Sequence, residues 1–198
     1  MYPKPNRLTT LMAFTGLMVA AMVGSPAAAS AQEPVGRYHG IIVNMAAERP
    51  GTATTPVNIV IHRWSTAEEQ DQVLGTVLEQ GGKALLGVLQ KLPQVGSVAP
   101  SGGVGFNIQY ATRSRGADGI ERIVLLTDRP MSFTERWYGG RSIDYPFLLM
   151  ELAIKPSGDG EGHVIVAARL SADKFNRELV VENLDIQPMQ IRSLKRER

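Results

Sequence analysis

The chain predicts an α+β domain dominated by antiparallel β-structure: a curled sheet, half barrel or small sandwich of about seven strands with one inserted helical hairpin. Three observations lead there. Short isoleucine- and valine-rich segments with period-two alternation recur along most of the 198 residues. Their connections are polar and glycine-rich, too short for the crossover helices that parallel pairing requires. One stretch with a 3.6-residue period, closed by Gly81-Gly82, interrupts them after the second strand.

The N-terminus precedes the first strand and reads as a cleavable signal peptide over residues 1–31. Lys4 and Arg7 supply a basic leading end, Leu8 to Val23 an uncharged apolar run, Pro26 a break, and Ala29-Ser30-Ala31 the small residues that a signal peptidase accepts. A retained anchor is the competing reading, but the run is shorter than the roughly 20 residues of a spanning helix. The expectation is therefore an exported protein, periplasmic or secreted, with no stable membrane span after cleavage. Residues 32–198 then form a single α+β domain with a short basic C-terminal tail. Cysteine is absent, which removes disulfides and lipid attachment at a cysteine, so a conventional core must hold the fold. The whole chain carries 21 basic and 19 acidic side chains, and removing Lys4 and Arg7 leaves 19 against 19. That balance argues against a nucleic-acid partner. Only Arg192, Lys195, Arg196 and Arg198 make a local basic run, expected as a solvated tail.

Tyr38 to Met45 is the first expected strand and Val57 to Trp64 the second, with Val57, Ile59 and Ile61 on one face and a Pro50-Gly51 turn signal between the two segments. Ser65 followed by Glu68 has capping-box spacing, so a helix is expected from Thr66 to about Gln80. A second helix, Lys83 to Leu92, carries Leu85, Leu86, Leu89 and Leu92 before Pro93. Five more strands follow: Val104 to Arg113, Ile120 to Asp128, Phe147 to Lys155, His163 to Leu170 and Leu179 to Ile186. Gly116 to Gly119 and Pro156 to Gly162 are read as turns.

Arg129 to Pro146 has no regular period and holds Phe133, Trp137, Tyr138 and Tyr145 among Arg136, Arg141, Glu135 and Asp144. Long loops in compact domains carry function more often than short ones. Trp137, Tyr138, Arg141 and Arg136, with Trp64, are therefore the expected ligand-binding residues, an aromatic and cationic set. His39, His62 and His163 lack zinc spacing, and no metal site or cofactor is expected. Glu151 is the one charge in its apolar strand, and its parity, opposite Leu148, Met150, Leu152 and Ile154, points it to solvent. The chain has no Gly-x-Ser-x-Gly elbow. Ser171 to Lys174 matches Ser-x-x-Lys only at a strand-to-turn junction, and Gly102 to Gly105 lacks phosphate-loop spacing. No catalytic residue is assigned.

The segments Thr55 to Thr66, Leu89 to Gly96, Arg122 to Phe133, Asp144 to Ile154 and Leu170 to Pro188 resemble a group of small secreted bacterial proteins with no assigned activity. The resemblance implies export and a shared domain and carries over no site residues. The functional expectation is a non-enzymatic module that binds a small apolar ligand, an envelope component or another protein. The alternatives are a hydrolase using His62 with Asp128 or Asp144, and a structural protein that assembles through sheet edges.

Overall fold

The computed structural model describes residues 33–43, 54–101, 103, 105–128, 147–165, 168–173, 175–176, 178–184 and 188–197. They belong to one compact unit, Gln32–Arg198. In chain order the elements are β1 (Gly36–Val43), β2 (Thr54–Ile61), α1 (Ala67–Gln80), a 3-10 turn (Gly82–Ala84), α2 (Leu85–Leu89), β3 (Gly96–Pro100), β4 (Phe106–Arg115), β5 (Glu121–Thr127), β6 (Leu148–Ile154), β7 (Asp159–Ile165), β8 (Ala168–Asp173), β9 (Glu178–Leu184) and β10 (Met189–Arg196).

The antiparallel, β-rich α+β expectation holds, and closure is the correction to it. Eight strands form a closed barrel in the order β1-β10-β7-β6-β5-β4-β3-β2, and β8-β9 is a separate two-stranded sheet. The sheet is neither a half barrel nor a sandwich, and it has more strands than the expected seven. Arg192, Lys195 and Arg196 of the C-terminal basic run are not in a tail: they belong to β10, which pairs with β1 on one side and β7 on the other, while Arg198 lies outside the described residues. Among the described residues no helix is long and apolar enough to cross a membrane.

Alternation sends one face of each strand inward. Ile42, Val57, Ile59, Ile61, Val98, Ile108, Leu125, Met150, Leu152, Val164, Ile191 and Leu194 are buried together in one cluster. Side chains thus fill the interior, as the diameter of an eight-stranded barrel requires. Burying each such side chain contributes about 1.5–3 kcal/mol. A second cluster lies outside the wall, where Val73 and Val77 of α1 and Leu85 and Leu89 of α2 meet Tyr110, Leu126, Leu149, Ile165 and Leu170. The helical hairpin and β8 therefore cover the outward face of the β4 to β7 wall. A register shift between Ile108 and Tyr110 makes this double use possible: Ile108 and Ala111 join the inner cluster and Tyr110 the outer one. Two residues between inward positions instead of one is the signature of a β-bulge.

The helix cap sits one residue later than its spacing suggested. Thr66 accepts from the Glu69 amide at 3.3 Å, and Glu69 accepts from the Thr66 amide at 2.9 Å, so the box is Thr66–Glu69 rather than Ser65–Glu68. Ser65 is occupied elsewhere: its amide donates to the Ala111 carbonyl at 2.8 Å and its hydroxyl accepts from the Ala111 amide at 3.0 Å. These two bonds attach the start of α1 to the bulged strand. Arg63 adds a two-point ion pair to Glu69, 2.8 and 2.9 Å, which holds the Glu69 carboxyl below its ordinary range.

Candidate functional site

Strand register places two outward rows side by side on the barrel wall. Thr112, Val124, Glu151 and His163 face one another across β4, β5, β6 and β7, and Ser114, Arg122, Ala153 and Glu161 form the adjacent row. The β8-β9 hairpin contributes Asn176, Glu178 and Leu179, and α1 contributes Gln70, enclosing a groove of about 510 Å³ above these rows. That volume lies within the range of small-molecule sites. The hairpin tip is held in shape by Asp173, whose carboxylate accepts from the Phe175 and Asn176 amides at 2.8 and 3.1 Å. Asn176 is thereby presented to the groove from a fixed turn, while Phe175 stands 94% exposed beside it.

Glu151 is the central group of the floor. Its parity is outward from the barrel, as alternation requires, yet it is half-buried rather than solvated, because this part of the outer wall lies under the hairpin. Burial raises its carboxyl above the ordinary value of 4.5, and the neighbouring His163 partly opposes that shift. An uncharged Glu151 thus suits the native site better than an ionised one. The sign of the linkage follows. Below the ordinary carboxyl range the group is protonated in both folded and unfolded chains and costs nothing; as pH rises through that range the native state loses stability, and the loss is complete above the raised value. Glu151→Gln is expected to make the protein more stable than wild type at pH 7.5 and equal to it near pH 4, measured by urea midpoints across that interval. Equal midpoints at pH 7.5 would show that burial does not strain this carboxylate.

The cations of the site are already engaged. Arg122 pairs with Asp118 at 2.7 Å, and Arg113 lies 3.5 Å from Glu121 with its guanidinium 5.0 Å from the centre of the Trp64 ring. Trp64 is partly buried against the inner cluster and does not line the groove. Arg113 links the two places, touching Trp64 and the groove rim. Trp137, Tyr138, Arg141 and Arg136 lie outside the described residues, as does Asp144. His62 is exposed just after β2 and Asp128 just follows β5. Register puts β3 and β4 between them, so three strand spacings, about 14 Å of wall, separate the two backbone positions. His39 lies 3.6 Å from Glu197 and His163 belongs to the groove. Among the described residues no three His, Cys, Asp or Glu side chains are grouped as metal ligands would be.

Sequence reasoning missed Arg122, Glu161, Asn176 and Glu178 as site residues. Period-two alternation already placed Glu151 outward; the signal it lacked was that β8-β9 folds back over that face. Comparison with known proteins adds no assignment: no family model, curated protein or solved structure matches this chain.

Proposed function

We propose that this chain is an exported, non-enzymatic binding domain whose ligand occupies the groove between the barrel wall and the β8-β9 hairpin. The observation that carries the reading is a half-buried carboxylate, Glu151, on the floor of a groove to which β4, β5, β6, β7, β9 and α1 all contribute. A carboxyl raised above its ordinary value by burial in a concave site is where function is first sought. Export rests on the basic, apolar and small-residue order of residues 1–31.

Native mass spectrometry of the protein recovered from the exported fraction tests both halves. The expected result is an N-terminus at Gln32 and an added mass that disappears on denaturation. Ala153 lies in the second floor row between Arg122 and Glu161, so Ala153→Trp fills the groove and should abolish the added mass while circular dichroism stays native. A folded wild-type protein of bare polypeptide mass would count against tight ligand carriage. An added mass that survives in Ala153→Trp would place the ligand elsewhere.

A further inference from the structure

The charges around the groove are not balanced within it. We propose that the groove selects a small organic cation, a primary amine carried on an apolar body, with Glu151 as its counter-ion. This rests on the groove being the binding site. Of the two arginines that reach it, Arg122 is paired with Asp118 outside the lining, and Arg113 shares Glu121, also outside it, with Arg196 at the longer distance of 3.5 Å. Three carboxylates, Glu151, Glu161 and Glu178, face the groove; none is within salt-bridge distance of a cation among the described residues, though Glu178 acts on Arg122 and His163 on Glu151 from farther off. The imidazole beside Glu151 is His163, which only partly opposes the effect of burial on the carboxyl.

An acid surplus on open surface would be a solvated face. Here Glu151 lies on a half-buried floor next to Val124, with Leu179 of the hairpin above. A charge in such a place is poorly screened, and a cation that displaces water from it gains more than it would at the surface. Val124 and Leu179 offer the apolar complement. An anion would meet three carboxylates against two arginines that each already face an acid, so the same arrangement disfavours acids.

Dansylcadaverine is a suitable probe, because its alkyl chain ends in a primary ammonium and its fluorophore reports burial. Its N-acetyl derivative is uncharged, and the dansyl amide of 6-aminohexanoate is anionic. The expected result at pH 7.5 and low salt is saturable, blue-shifted emission for the amine, with both counterparts weaker by about tenfold or more. Glu151→Gln should weaken the amine by about the same factor and leave the acetylated probe unchanged. If Glu151→Gln misfolds, Glu178→Gln on the exposed hairpin replaces it, with a smaller loss in the same direction. Equal binding of the three probes, abolished by Ala153→Trp, would overturn cation selectivity and leave the groove as the site. Binding indifferent to Ala153→Trp would overturn the groove reading itself. Absence of saturable binding by all three probes would overturn the amine proposal.

Discussion

Removal of residues 189–198 is expected to leave a chain without a cooperative unfolding transition. The segment holds β10, whose Met189, Ile191 and Leu194 are fully buried in the barrel interior. Truncating one large core side chain costs about 2–5 kcal/mol, so losing three exhausts the roughly 5–15 kcal/mol by which a domain is stable. The backbone loss adds to this. β1 and β7 would each lose a ladder, exposing two unpaired edges where the native barrel has none. A deletion of Arg198 alone removes no residue of β10 and keeps the Glu197 amide to Arg37 carbonyl bond at 2.9 Å, so it should melt like wild type. Near-ultraviolet circular dichroism and thermal melts of the two deletions separate a strand from a tail. A sharp melt for the longer deletion would show that closure by β10 is dispensable.

The reason β10 was hidden in the sequence is local. Inward residues of this strand fall at Met189, Ile191 and then Leu194, because a register shift occurs between Ile191 and Leu194 and Ser193 takes a left-handed φ of 51°. That breaks the period of two on which strand recognition depends, and the charges between and after these positions then read as a solvated end. The first half of β7, Asp159 to Gly162, was hidden by the opposite device. Its inward positions near the turn are Gly160 and Gly162, where a Cβ would lie 2.5 Å from the Ala153 and Glu151 carbonyl oxygens. Glycine is required by this close approach, yet in a bare sequence Gly158 to Gly162 resembles a long turn. Only Gly158, with φ of 92°, needs glycine for a turn conformation there. β3 is five residues long and ends in Pro100, too little pattern to separate from a loop. The strands that were legible, β1, β2, β4, β5, β6 and β9, are those that carry a run of apolar residues bounded by turn signals. For the site, parity was legible and cover was not: the outward direction of Glu151 follows from its neighbours in sequence, but its burial depends on a hairpin that begins seventeen residues later at Ala168.

Arg196→Met is expected to destabilise the protein by about 3–5 kcal/mol, the cost of leaving a buried charge without its partner. Glu121 is 4% exposed at the start of β5, although it bears a carboxylate. Arg196 donates to one of its oxygens and, at 3.1 Å, to the Tyr38 hydroxyl, while Arg113 approaches the other carboxylate oxygen at 3.5 Å. Arg196 also lies 5.4 Å from the centre of the Tyr38 ring, and burial pushes the Tyr38 hydroxyl above its ordinary 10.0. In Arg196→Met only Arg113 remains, and at that distance it makes a poor hydrogen bond. Methionine retains most of the apolar stem, so the loss reports the charge and its bonds rather than packing. The converse change, Glu121→Gln, should cost less, because the two guanidiniums it releases are 36% and 56% exposed in their side chains and can take water instead. Combining the changes removes the stranded carboxylate. The double variant Glu121→Gln, Arg196→Met should therefore be more stable than Arg196→Met alone, with a coupling of about 0.5–3 kcal/mol in guanidinium-chloride unfolding. Strict additivity would mean that Glu121 is neutralised by Arg113 or by solvent. The expected coupling would instead show that β1, β5 and β10, drawn from the beginning, middle and end of the chain, are locked at one mouth of the barrel by a single guanidinium.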